Sequence, residues 1–180
     1  MKKILHFSEE DRATIRKLDM RSWHVWAATW FGSGFMKPAP GTWGSLAALP
    51  FGLLIIAFGN LLTLIAGIIA VTAIGLISAK KFEQDTGIHD SKMIVIDEVA
   101  GQWVALIPII MLISVQAPYF PIYIVLAFVF FRLFDILKPW PASFFDKKVD
   151  GAPGVMFDDI VAGLYAAILL YGAIAYAGPG

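Results

Sequence analysis

Five apolar stretches, at about 44–58, 61–79, 99–116, 121–137 and 159–177, alternate with polar segments along the chain. A helix that crosses a bilayer needs about 20 mostly apolar residues, with a working range of about 17–25. The second, third and fifth stretches meet that length. The fourth is apolar over residues 121–131 and then gains Arg132 and Asp135, so its charged end belongs at or just below the lipid headgroups. The first is short and holds Pro50, which leaves it open as a tilted or re-entrant segment. Ahead of these stretches, Ser8 and Asp11 stand at capping-box spacing before a polar helix expected at about 9–20. Trp23, Trp26, Trp30 and Phe31 follow, and aromatic rings of this kind anchor at the membrane interface.

Charge placement decides the topology. Seven of the fourteen Lys and Arg residues precede the first apolar stretch, three (Lys80, Lys81, Lys92) lie in the loop after the second, and four (Arg132, Lys138, Lys147, Lys148) lie around the end of the fourth. The connections at 59–60 and 116–120 and the tail at 177–180 carry no charge. If 44–79 were one crossing, the basic residues would divide equally between the two faces. If it is a hairpin turning at Gly59-Asn60, all fourteen share one face. Lys and Arg near spans are retained in the cytoplasm, so the hairpin is preferred, with the N-terminus inside and the C-terminus outside. The expected fold is an all-α polytopic membrane helix bundle with four to five transmembrane helices. Residues 1–31 are expected as an N-terminal amphipathic, interfacial segment and residues 32–180 as a membrane-embedded domain.

Composition narrows the function. The chain is 58% hydrophobic and 16% charged, with no net charge and no cysteine; soluble domains are closer to about 45–50% and about 25%. Zero net charge disfavours a nucleic-acid binder. The lack of cysteine excludes disulfides, thiolate metal sites and thiol nucleophiles. The opening Met1-Lys2-Lys3-Ile4-Leu5 imitates a signal peptide but meets Ser8-Glu9-Glu10-Asp11-Arg12 before an apolar core can form.

Three constellations on the charged face could carry chemistry. Gly41-Thr42-Trp43-Gly44-Ser45 leads into a helix, where free backbone N–H groups can hold an anion; Thr42 or Ser45 acting only as a helix cap is the plainer alternative. Asp97-Glu98 opens the third stretch after the apolar run at 93–96, and such a pair at the edge of hydrocarbon is costly without compensation. Gly101, one turn on, would let a neighbouring helix approach closely. Arg132, Asp135 and Lys138, spaced i, i+3, i+6, are expected on one side of a helix. They precede Asp146, Asp150 and the pair Asp158-Asp159, which is expected to open the last helix, with Gly163 again one turn beyond. Snorkelling cations, ion pairing and helix capping would explain each feature singly. Together, oxygen ligands without thiols favour Mg²⁺, and the two cations favour phosphate. His89, the histidine nearest the acidic motif, is a low-weight candidate.

Four ordered motifs extend the reading: Gly41-Thr42-Trp43-Gly44-Ser45, then residues 94–101 around Asp97-Glu98, then residues 131–141 from Phe131 through Pro141, then residues 154–163 around Asp158-Asp159. They strongly resemble the phosphatidylglycerophosphatase A family, and His89-Asp90 ahead of the acidic pair resembles its proteobacterial branch. The resemblance implies a Mg²⁺-dependent lipid phosphatase of the bacterial cell inner membrane, active at the cytoplasmic face. Its substrate would be phosphatidylglycerophosphate and its products phosphatidylglycerol and inorganic phosphate. The catalytic acids would be Asp97, Glu98, Asp135, Asp158 and Asp159, with Glu98, Asp135, Asp158 and Asp159 as metal ligands. Thr42, Ser45, Arg132 and Lys138 would bind the substrate phosphate, and Asp97 or Glu98 would orient or deprotonate the attacking water. The chain departs from the family at Asp150-Gly151-Ala152-Pro153-Gly154, where members often carry a Gly-Gly pair. A different class of function, an ion-coupled transporter or proton relay, would place acids near mid-bilayer and on both faces.

Overall fold

The computed structural model describes residues 7–89, 91–112 and 120–177. The start of the chain at 1–6, Asp90, most of the link expected at 116–120 and the tail past Ala177 lie outside the described residues. The fold is all-α, with no strand among the described residues. Its helices are α1 (Glu9–Lys17), α2 (Trp23–Ala28), α3 (Pro40–Phe58), α4 (Leu61–Thr86), α5 (Ile96–Ala105), α6 (Ile107–Leu112), α7 (Phe120–Leu137), α8 (Ala142–Lys148) and α9 (Ala152–Ala177).

Four of these, α3, α4, α7 and α9, are long and apolar enough to cross a bilayer. The chain is therefore a multi-pass membrane protein. The first apolar stretch is neither broken nor short: α3 gains a turn at its start and continues through Pro50 for 19 residues, about 28 Å at 1.5 Å per residue. Gly59 closes α3, and Asn60 caps α4 by accepting the Thr63 N–H at 3.0 Å, so the two form the expected hairpin.

The third stretch differs from expectation. It breaks at Leu106 into α5 and α6, because Pro108 has no N–H to offer the Val104 carbonyl and its ring crowds the preceding turn. α5 is buried almost all round, with Ile96, Val99, Ala100, Ala105 and Leu106 fully enclosed. It is the central helix, packed by α3, α4, α7 and α9.

The N-terminal segment is tied to the cytoplasm-expected end of α4 and the loop beyond it. Ser8 and Asp11 form the anticipated capping box of α1. Lys17 donates to the Thr86 carbonyl at 2.6 Å, His24 meets Asp85 at 2.7 Å, and Lys37 meets Asp11 at 2.9 Å. Burial pulls the Asp11 pKa up, but bonds from Lys37 and Ser8 outweigh it and hold the carboxyl below its usual value. Trp23, Trp26 and Phe31 are exposed, as anchors should be. Trp30 is not: its ring packs edge-on against Phe51 and Trp103.

Candidate active site

Four helix ends converge on one polar cavity of 440 Å³. The start of α3 supplies Ala39, Pro40 and Gly41 to its wall, the start of α5 supplies Asp97 and Glu98, the end of α7 supplies Arg132 and Asp135, and the early turns of α9 supply Asp158 and Asp159. Since α3, α5 and α9 begin there and α7 ends there, α3 and α4 must be a hairpin, and the chain must cross again between Ile96 and Phe120. The one-face layout read from the charges thus has a structural counterpart, and the acids do not sit on opposite faces.

Asp97 and Glu98 lie in the first turn of α5, where carboxylates complement the helix dipole. Asp97 is only 6% exposed. Glu98 presses one oxygen against α3, where a Cβ on Gly41 would overlap it unless the carboxylate swung aside. On α9, Asp159 is 4% exposed and Asp158 3%. They do not open that helix: it starts at Ala152, six residues earlier, with Pro153 inside its first turn, where a missing N–H costs nothing.

α5 and α9 can bring these acids together because their backbones nearly touch. A Cβ on Gly101 would come within 2.5 Å of the Asp159 carbonyl oxygen, and one on Gly163 would overlap the Gly101 carbonyl. The paired acid-to-glycine spacing therefore marks a single helix crossing. As a result, one carboxylate oxygen each from Asp97, Glu98 and Asp159 lies within 4.8 Å of the others.

The cations are already partnered. Arg132 Nη1 meets Asp135 at 2.8 Å and donates to Ser45 Oγ at 3.3 Å. Lys138 does not share the helix face of Arg132: α7 ends at Leu137, and Lys138 takes a left-handed φ of 42° before Pro139. That turn sends its ammonium to Asp146 on α8 and Asp158 on α9, both at 2.5 Å. Burial lowers the Lys138 pKa, but these two bonds win and hold it well above the usual lysine value. It therefore stays charged across the physiological range.

The residues expected at the site are arranged as follows. The close carboxylate triad contains Asp97, which was expected to handle water, with Glu98 and Asp159; Asp135 and Asp158, expected as ligands, lie beside it in ion pairs with Arg132 and Lys138. Ser45 is wholly buried and serves Arg132 from behind the cavity wall, while Thr42 does not line the cavity. His89 stands at the rim, largely exposed, 3.7 Å from Glu83. Asp146 joins the site from α8, a seven-residue helix with too few residues to show a periodic signal.

Two features fit a divalent cation. Seven carboxylates and three cations line the cavity, an excess of four negative charges when all are ionised. Fully ionised, such a field would repel an incoming phosphate unless a positive charge compensated it. In addition, Asp97 Oδ1 and Glu98 Oε2 are buried without a hydrogen-bond partner among the described residues, as oxygens reserved for a metal would be. The all-oxygen donor set suits Mg²⁺.

The family model described as phosphatidylglycerophosphatase A matches residues 26–174, which include every side chain of this cavity. The chain belongs to the phosphatidylglycerophosphatase A family. It is 39% identical over 149 residues to the phosphatidylglycerophosphatase A of Haemophilus influenzae, covering 83% of this chain and 86% of that one. It is 36% identical over 166 residues to that of Escherichia coli, covering 90% and 89%. A Bacteroides thetaiotaomicron protein, whose name proposes a phosphatidylinositol-3-phosphatase, is 37% identical over 156 residues, covering 81% and 90%. No solved structure matches the chain. Like other phosphatidylglycerophosphatase A relatives, the chain is a phosphoric monoester hydrolase.

Within this family member, Arg132 is more than a charge, since its guanidinium holds Asp135 and Ser45 at once. Both bonds leave Nη1, at the end of a longer side chain than lysine's, so an ammonium would have to reach the same point to keep them. Arg132→Lys is expected to lower turnover by about ten- to a hundredfold, the worth of a hydrogen bond to a charged group. Phosphate release at saturating substrate measures it.

Proposed function

We propose that the protein is a Mg²⁺-dependent phosphatidylglycerophosphatase of the bacterial inner membrane, acting at the cytoplasmic face on the terminal phosphomonoester of phosphatidylglycerophosphate. The observation that carries this reading is the convergence of Asp97, Glu98 and Asp159 beside Arg132 and Lys138 in one cavity at the end of a membrane bundle.

Asp97, Glu98 and Asp159 would hold the ion, which when bound supplies positive charge and Lewis acidity at the phosphate oxygens. The remaining steps belong to the chain's own groups. Arg132, fixed by Asp135 and Ser45, stabilises the equatorial oxygens of the transferring phosphoryl group. Lys138 does the same, held in place by Asp146 and Asp158. The first turn of α3 reaches the wall of the same cavity through Gly41, and a helix start of this kind favours an anion. A water attacks phosphorus in line with the glycerol oxygen, and Glu98, at the wall beside Gly41, takes its proton. The new P–O bond forms as the glycerol P–O bond breaks, and the released alkoxide is protonated by solvent at the open mouth. Inorganic phosphate and phosphatidylglycerol leave.

The relative named for phosphatidylinositol-3-phosphatase activity favours testing a second headgroup. Purified protein in detergent should release phosphate from phosphatidylglycerophosphate with a higher kcat/KM than from phosphatidylinositol 3-phosphate. The reverse order would assign the inositol lipid instead, and no release from either would end the proposal.

A further inference from the structure

We propose that Lys92 binds the phosphodiester of the lipid substrate, and so selects headgroups that carry a second phosphate a few atoms from the one removed. The inference rests on the phosphatidylglycerophosphatase reading above and adds a specificity determinant to it. Among the cations lining the cavity, Arg132 is engaged by Asp135, and Lys138 by Asp146 and Asp158. Lys92 also lines the cavity, yet it forms no ion pair among the described residues. With Arg132 and Lys138 assigned above to the transferring phosphoryl group, Lys92 is the lining cation left to meet a second anion, and its exposure puts it at the rim.

Its position is fixed although its side chain is exposed. Ser91 and Met93 on either side are buried. The Ile94 N–H donates to the Ser91 carbonyl at 2.8 Å, and the Val95 N–H donates to the Ala28 carbonyl of α2 at 2.8 Å. Gly34 lies so close beneath this turn that a Cβ there would overlap the Met93 carbonyl. The turn bearing Lys92 is therefore clamped by the segment that exposes Trp23, Trp26 and Phe31. Exposed aromatic rings of this kind sit at the headgroup level, which places Lys92 at the same level.

Phosphatidylglycerophosphate has two phosphates joined through a glycerol. The phosphodiester stays with the acyl chains at headgroup level, while the terminal phosphate can reach the buried acids at the cavity floor. Rim and floor thus match the two phosphates. An ammonium at the rim gives a charge-assisted hydrogen bond that acts on ground state and transition state alike, because the phosphodiester does not react. Its loss belongs in KM.

The test measures kcat and KM for phosphatidylglycerophosphate in mixed micelles of fixed anionic-lipid content, for wild type, Lys92→Gln and Lys92→Arg. Two inhibitors divide the substrate: phosphatidylglycerol carries only the phosphodiester, and inorganic phosphate resembles only the terminal group. Lys92→Gln should raise KM and the phosphatidylglycerol inhibition constant by about five- to tenfold. It should leave kcat and the inorganic phosphate constant within about twofold of wild type, inside the usual scatter of exposed-site substitutions. Lys92→Arg should restore most of the loss. An unchanged KM, or a loss confined to kcat, or equal weakening of both inhibitors, would overturn the inference. Failure of the underlying reading is distinct, since wild type itself would then release no phosphate.

Discussion

Asp97→Asn is expected to lower phosphate release from phosphatidylglycerophosphate by at least about 10²-fold, the order of loss when one preorganised charge-stabilising group leaves an active site. The change keeps the shape of the side chain and removes only its charge. Asp97 is buried, belongs to the close carboxylate triad and has an oxygen with no hydrogen-bond partner among the described residues. An amide there still offers one oxygen, but it is neutral, so cation affinity falls along with rate. Folding should survive, because the substitution relieves a cluster of like charges; two carboxylates so close repel in the absence of a cation. The account therefore expects an inactive protein at least as thermally stable as wild type in chelator. A melting curve recorded beside the activity assay separates this outcome from simple unfolding.

Gly163→Ala should be nearly as damaging, by a different route. A methyl group there would overlap the Gly101 carbonyl and crowd Val104. The obstacle is backbone, which cannot rotate away as a side chain can. Ala normally favours a helix over Gly by about 0.5–1 kcal/mol. Overpacking costs about 1–3 kcal/mol, so the strain outweighs the propensity gain. Relief requires α5 and α9 to separate, which carries Asp159 away from Asp97 and Glu98. A shift of about 1 Å can cost about 10²-fold in rate. Gly172 is the control: it lies on the same helix with nothing within 4 Å of an added Cβ. Gly172→Ala should keep full activity and gain slightly in stability. If Gly163→Ala and Gly172→Ala behave alike, the helix crossing does not position the acids.

Charge placement made the layout legible, because crossing a membrane forces each polar loop to one face or the other. The turn at Gly59-Asn60 followed from the same charge count; the chain does break after Phe58, and Asn60 caps α4. The acid-to-glycine spacing at Asp97–Gly101 and Asp159–Gly163 also carried through, since glycine has few other uses in a membrane helix than close packing. Three features did not. The start of α9 was hidden because Gly151 and Pro153 look like loop, whereas Pro suits a first helical turn. The position of Lys138 depended on where α7 ends, and a helical spacing cannot be extended past a residue that leaves the helix before proline. The division of the acids into a triad and two ion-paired members was out of reach, because all five have the same chemistry and only three-dimensional neighbours tell them apart. Asp135 and Asp158 lie beside the triad in ion pairs with Arg132 and Lys138, which nothing in their own local sequence marks.

The most direct test of the central claim is equilibrium binding of Mn²⁺, as a spectroscopic substitute for Mg²⁺, to chelator-stripped wild type and Asp159→Asn, with phosphate release followed in the same samples. The account predicts that wild-type activity rises from zero in step with bound metal, and that Asp159→Asn loses both binding and turnover. Full hydrolysis of phosphatidylglycerophosphate by the stripped enzyme in excess chelator would contradict it.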